Sequence, residues 1–103
     1  MDDKSLYSAL IRLHILHHAS ENPIYGTWIM EELARHGYKL SAGTLYPILH
    51  SLGKRGYLRS HWERNGKLAR RVYNITPEGR KALYVARRRV RELFGEMFAT
   101  GRA

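Results

Sequence analysis

Leu40-Ser41-Ala42-Gly43-Thr44-Leu45-Tyr46-Pro47 is the stretch whose reading decides the fold of this chain. It lies about one helix downstream of Tyr25-Gly26, where a helix-turn-helix places its second helix. Ser41 is a helix-capping residue by type, because a serine oxygen accepts from the free N–H groups of a first turn. Leu45, Ile48, Leu49 and Leu52 then recur at helical spacing and make one apolar face. Thr44, Tyr46, Pro47, His50 and Ser51 are left facing outward. A short helix with a polar face, entered through a tight turn at Gly37, is the geometry that reads a major groove. The spacing predicts this helix over about Ala42 to Lys54, closed by Arg55-Gly56. Pro47 removes one backbone bond inside it and crowds the carbonyl of Gly43, so a distorted first turn is expected rather than a broken helix.

Upstream, Tyr25 to His36 reads as the partner helix, with Ile29 and Leu33 inward and Gly37 as its C-terminal stop. Before it, Ser5 to Ala19 reads as a first helix carrying Leu6, Ala9, Leu10, Leu13 and Leu16 along one stripe. Ser20-Glu21-Asn22-Pro23 ends that helix, because the position before proline disfavours helical backbone.

Downstream of Gly56 the period changes from helical to alternating. Tyr57, Leu58, His61 and Trp62 on one side, and Val72, Tyr73 and Ile75 on the other, flank Arg64-Asn65-Gly66-Lys67. Asn-Gly between two strand-like runs is a strong hairpin signal, since both residues tolerate positive φ. Thr76-Pro77-Glu78 opens the last helix with a capping hydroxyl, a proline at the first helical position and an acid at the positive end of the dipole. That helix is expected to reach about Ala99, which makes it roughly 35 Å long. The expected fold is mainly α with a small β-hairpin: a winged helix-turn-helix with a long C-terminal dimerisation helix. Residues 1–76 form the DNA-binding unit and 77–103 the dimerisation helix, the two making one compact body.

Composition narrows the function. The chain has 103 residues, enough for one domain with a modest core. Eighteen Lys and Arg against nine acids give a formal net charge of +9, and the sequence pI is near 10.3. Such self-repulsion points to a polyanionic partner, with nucleic acid favoured over an anionic membrane surface by the hairpin and turn chemistry. There is no cysteine, which excludes a disulfide, a thiol nucleophile and a thiolate-held zinc. The apolar run from Leu6 to Leu16 follows Asp2 and Asp3 and contains Arg12 and His14, so it does not read as a signal peptide. No run approaches the ~20 apolar residues of a membrane span. A cytoplasmic protein is therefore expected, with no membrane role. No Gly-rich phosphate loop, paired-carboxylate motif or nucleophile with its base is visible, so no enzyme is expected.

The segment from about Tyr25 to Leu83 resembles the PadR family of transcriptional repressors, whose members carry a G-Y-x-I…L-S-x-G-T-L-Y-P-x-L-x-x-L pattern. Members typically continue with G-x-x-R-K-Y-Y-x-L-T. Here Gly66-Lys67-Leu68-Ala69-Arg70-Arg71-Val72-Tyr73-Asn74-Ile75-Thr76 is similar with an altered centre. At Gly53 the family commonly has glutamate, and the loss of that acid removes a potential intramolecular partner. The resemblance implies a dimer joined through the last helix, and often release from DNA by a small hydrophobic or aromatic effector.

Double-stranded DNA is thus the expected partner. Thr44 and Tyr46 are the leading groove contacts, followed by His50, with Gly43 and Pro47 on the same helix. Ser41 and the amides beside it suit a phosphate, with Tyr25 and Lys39 nearby in sequence. On the wing, Arg64, Asn65, Lys67, Arg70 and Arg71 suit phosphates or the minor groove, although basic residues also guard sheet edges against aggregation. Leu83, Ala86, Val90, Leu93 and Met97 step by three and four as a heptad seam. Together with Leu6, Leu10 and Leu13 they are the expected dimer surface. Phe94, Met97 and Phe98 are candidates for an effector pocket, against the plainer reading of aromatics as core. His14 and His18, one helical turn apart with His17 beside them, have metal-ligand spacing. The remaining histidines are distant in sequence, so no metal or other cofactor is expected. A second reading is a non-sensing architectural DNA-binding protein, or an antagonist that binds another regulator.

Overall fold

The computed structural model describes residues 4–99. Asp2 and Asp3, and the last four residues of the 77–103 segment, lie outside the described residues. The elements run α1 (Lys4–Glu21), β1 (Ile24–Tyr25), α2 (Gly26–Arg35), α3 (Ala42–Lys54), β2 (Leu58–Asn65), β3 (Leu68–Ile75) and α4 (Pro77–Met97). The three strands form one antiparallel sheet in the order β1-β3-β2.

β1 is absent from the sequence expectation, which began α2 at Tyr25. Ile24 and Tyr25 instead pair with Tyr73 and Val72 of β3, and helix begins only at Gly26. α2 ends at Arg35, one residue early, and its end is a glycine-closed turn. Tyr38 N–H donates to the Leu33 carbonyl at 2.9 Å and Gly37 N–H to that of Ala34 at 3.0 Å, with Gly37 at φ +90°. α3 runs unbroken through Pro47 over the expected residues.

The core gathers Ile29 and Leu33 of α2, Leu45, Leu49 and Leu52 of α3, Ile24, Leu58 and Tyr73 of the sheet, and Leu83 of α4. On α1 the expected stripe divides, with only Leu16 entering the core. Ile11, Ile15, Leu16 and Ala19 are buried, whereas Leu6, Ala9 and Leu10 are exposed and Leu13 is half-buried. α1 therefore carries one buried apolar face and a second that is largely exposed.

The hairpin turn also differs in detail. Asn65 is the last strand residue, paired with Leu68, and no described non-glycine residue has positive φ. Gly66 at φ +65° takes the first central position and Lys67 the second, the pattern of a type II′ turn. α4 begins as expected: the Thr76 side chain accepts from Gly79 N–H at 2.9 Å and Pro77 occupies the first helical turn. It ends at Met97, short of Ala99. Its 21 residues span roughly 31 Å. The radius of gyration of 15.4 Å exceeds the ~13 Å of a compact chain this size, because α4 overhangs the body.

Candidate nucleic-acid interface

The buried side chains of α3 fix which face it shows. With Leu45, Ile48, Leu49 and Leu52 held in the core, Ser41, Gly43, Thr44, Tyr46, Pro47 and His50 are exposed. Ser51, expected outward, is half-buried and accepts from Arg12 Nη1 at 3.4 Å. Ser41 holds the capping position, but its hydroxyl makes no capping bond and donates to Thr44 Oγ1 at 3.3 Å. Its carbonyl accepts from Thr44 and Leu45 N–H at 3.1 and 2.9 Å. The Ala42 and Gly43 amides of the first turn are thus left to an outside acceptor. A Cβ built on Gly43 would meet only Ser41 Oγ, at 3.8 Å, so nothing within the chain demands glycine there.

Tyr46 is not simply an outward groove contact. It is 41% exposed, yet its ring lies on Gly26, where an added Cβ would come within 2.6 Å of Tyr46 Cζ. Its other side borders a cleft of about 500 Å³ between α3 and the wing, lined also by His50, Gly53, Lys54, Ser60 and Arg71. A Cβ at Gly53 would make ordinary contact with the Leu58 carbonyl at 3.8 Å, so the glycine that replaces the family's acid is not required by packing. Lys39 is exposed and lines a separate groove with Ser41, Thr44 and the α1 residues Lys4 and Tyr7.

On the wing, Arg64, Asn65 and Lys67 are exposed at the tip. Arg70 and Arg71 point to opposite sides of the sheet, as neighbours on a strand must. Arg71 sits opposite Trp62, 5.7 Å over its ring, and donates from Nε to Ser60 Oγ at 3.0 Å. Arg70 lies 4.0 Å over the ring of Tyr25. Tyr25 therefore joins the site as a platform for Arg70, through β1 pairing that has no local sequence signal. Among the described residues none of Arg64, Lys67, Arg70 and Arg71 forms an ion pair with a carboxylate. Trp62 was not among the candidates. It is 66% exposed on the wing, and its alternation with Leu58 and Ser60 was the available signal.

The expected dimer residues divide. Leu83 is buried in the chain's own core and Ala86 is half-buried, while Val90, Leu93 and Met97 stand exposed. Leu10, Leu13, Leu83, Val90 and Phe94 line a groove of about 770 Å³ between α1 and α4. Of the three effector-pocket candidates, only Phe94 reaches that groove. Met97 and Phe98 lie beyond it, with the Phe98 ring 4.8 Å from that of Phe94. No helix among the described residues is long and apolar enough to cross a membrane.

Comparison with known proteins agrees with this geometry. Residues 15–85 match the Transcriptional regulator PadR-like family. The transcriptional regulator Rv3488 of Mycobacterium tuberculosis is 52% identical over 89 residues, covering 86% of this chain and 83% of that protein. A PadR family transcriptional regulator from Eggerthella lenta superposes with a TM-score of 0.69 at 30% identity, over 95% of this chain and 93% of that one. A PadR-like transcription factor from Bacteroides fragilis shares the fold, with a TM-score of 0.80 at 22% identity over 91% and 92% of the two chains. The winged helix-turn-helix seen here is thus that of a transcriptional regulator rather than an enzyme, and the chain belongs to the PadR-like family.

Proposed function

We propose that the chain is a homodimeric, sequence-specific repressor that occludes its operator with two copies of α3. The observation that carries this reading is the open face of α3 beside a wing on which Arg64, Lys67, Arg70 and Arg71 have no carboxylate partner among the described residues. Thr44 and His50 read base edges, the Ala42 and Gly43 amides take a phosphate, and Arg64, Lys67 and Arg71 track the backbone. Residues 1–76 carry the DNA-binding role and the α4 segment of 77–103 the pairing, so α4 sets the distance between the two α3 helices. A hydrophobic effector wedged into the α1–α4 groove beside Phe94 changes that distance, and releases DNA if it binds the displaced state more tightly.

Selection of bound sequences from a random duplex pool, followed by affinity against salt, tests the proposal. The expected result is a palindrome with half-sites about one helical turn apart. Arg64→Ala and Lys67→Ala should each weaken all sequences alike and lower the salt slope by about 1. A steep salt slope without an enriched motif would move the reading to an architectural protein, and no DNA affinity would move it to a protein antagonist.

A further inference from the structure

Four side chains at the junction of α1 and α2 have no role in the reading above, although His36 borders the Lys39 groove and His14 the α1–α4 groove. His14 and His18 stack one turn apart on α1, with ring centroids 6.2 Å apart and planes within 11°. His36, the residue capping the end of α2, lays its ring 4.8 Å from that of His14. Glu32, one turn earlier on α2, brings Oε2 to 3.1 Å from His36 Nε2 and 3.6 Å from His18 Nε2. One ring nitrogen from each of the three histidines lies within 4.8 Å of the other two. We propose that His14, His18, His36 and Glu32 form a binding site for a zinc-class divalent transition metal that clamps α1 to the end of α2.

Each helix supplies a same-face pair at i, i+4, which is the spacing that turns two side chains toward one point. The donors are three imidazole nitrogens and a carboxylate oxygen, a set that suits zinc, cobalt or nickel rather than calcium or magnesium. Nitrogens bound to a tetrahedral ion at about 2.0–2.1 Å stand roughly 3.3 Å apart, so the three rings, whose nitrogens lie within 4.8 Å of one another, have to draw together on binding. Glu32 Oε2 lies within hydrogen-bond range of His36 Nε2, which sets the carboxylate beside the rings. Arg35 Nη1 takes the other oxygen, Oε1, at 3.4 Å and leaves Oε2 toward the histidines. Tyr38 packs edge-on against His14 at 5.5 Å and Trp28 against His18 at 5.4 Å, walling the cluster on two sides. A second grouping, His17, His18 and Glu21, comes from one helix, and two of its members are more than half exposed.

The test titrates the tag-free full chain, stripped by chelator, with Co²⁺ followed by its visible absorption and with Zn²⁺ followed by calorimetry. One metal per chain is expected, with Zn²⁺ displacing Co²⁺ and raising the melting temperature. His36→Gln and Glu32→Gln should each weaken binding at least about tenfold, while His17→Gln leaves it unchanged. His36 is exposed, so H36Q should melt with the wild type in chelator, which separates lost metal from lost fold. The proposal is overturned if binding does not saturate, or if H17Q abolishes it while H36Q does not.

Discussion

The ring of Tyr46, in the middle of α3, lies against the α-carbon of Gly26, the first residue of α2. This contact joins the two helices of the helix-turn-helix at the point where any side chain on residue 26 would displace the ring. Gly26→Ala is expected to destabilise the fold by about 1–3 kcal/mol, the usual range for overpacking. Tyr46→Ala is also expected to destabilise it, by loss of packing. The two substitutions share one contact, so the double variant should be less destabilised than the sum. Urea unfolding of the four proteins checks this, and strict additivity would show that the ring is not held on Gly26.

Gly43 offers the opposite case. An added Cβ there meets only Ser41 Oγ, in ordinary contact, and alanine favours helix over glycine by about 1 kcal/mol. Gly43→Ala should therefore melt no lower than the wild type. If α3 approaches a phosphate through its first-turn amides, the same methyl group should weaken operator binding about tenfold, roughly 1.4 kcal/mol. Unchanged DNA affinity in a stable Gly43→Ala protein would show that this helix start does not closely approach the duplex.

What was legible in the sequence follows from the range over which each feature is determined. α3 was readable because Leu45, Ile48, Leu49 and Leu52 define its inner face locally, and the exposed candidates Thr44 and His50 are its complement. The Thr76 cap and Gly37 stop were readable for the same reason. β1 was not, because two residues have no period of their own and become a strand only by pairing with Val72 and Tyr73. On α1, Leu6, Leu10 and Leu13 have the same helical spacing as Ile11, Ile15 and Ala19, and periodicity cannot say which of two apolar faces the chain's own core takes. Tyr46 on Gly26, Arg70 on Tyr25 and His36 on His14 all depend on tertiary contact. The metal-ligand spacing on α1 was visible in the sequence, but the other half of the cluster was not.

Thr76 ties the wing to α4. Its hydroxyl donates to the Gly56 carbonyl and accepts from Gly79 N–H at 2.9 Å, while its own N–H reaches the Tyr57 carbonyl at 3.0 Å. The residue is buried, so Thr76→Val leaves a carbonyl and an amide without their partner. A loss of about 1–3 kcal/mol is expected, with Thr76→Ser close to the wild type. Chemical denaturation measures both. An unaffected Thr76→Val would mean that water replaces the hydroxyl and that the direction of α4 is set by packing alone.

The chain's own core reaches α4 only as far as Leu83, beyond which Val90, Leu93, Phe94, Met97 and Phe98 are exposed. Such a strip on a helix that overhangs its domain is unfavourable in water unless another surface covers it. Leu6 and Leu10 add an exposed apolar face of α1, and the two helices face one another across the groove that ends at Phe94. A second copy related by two-fold symmetry would cover both faces at once, because an isologous contact uses the same patch twice. Leu93→Asp is expected to convert the proposed dimer to a folded monomer, since Leu93 is half exposed and contributes nothing to the core. Sedimentation equilibrium reads the mass, and the far-ultraviolet spectrum and melting curve show whether the monomer is folded. Its affinity for an isolated half-site should stay near that of the wild type while affinity for the full palindrome falls. A wild type that sediments as a monomer, or an L93D protein that remains dimeric, would place the interface elsewhere and remove α4 as the element that spaces the two α3 helices.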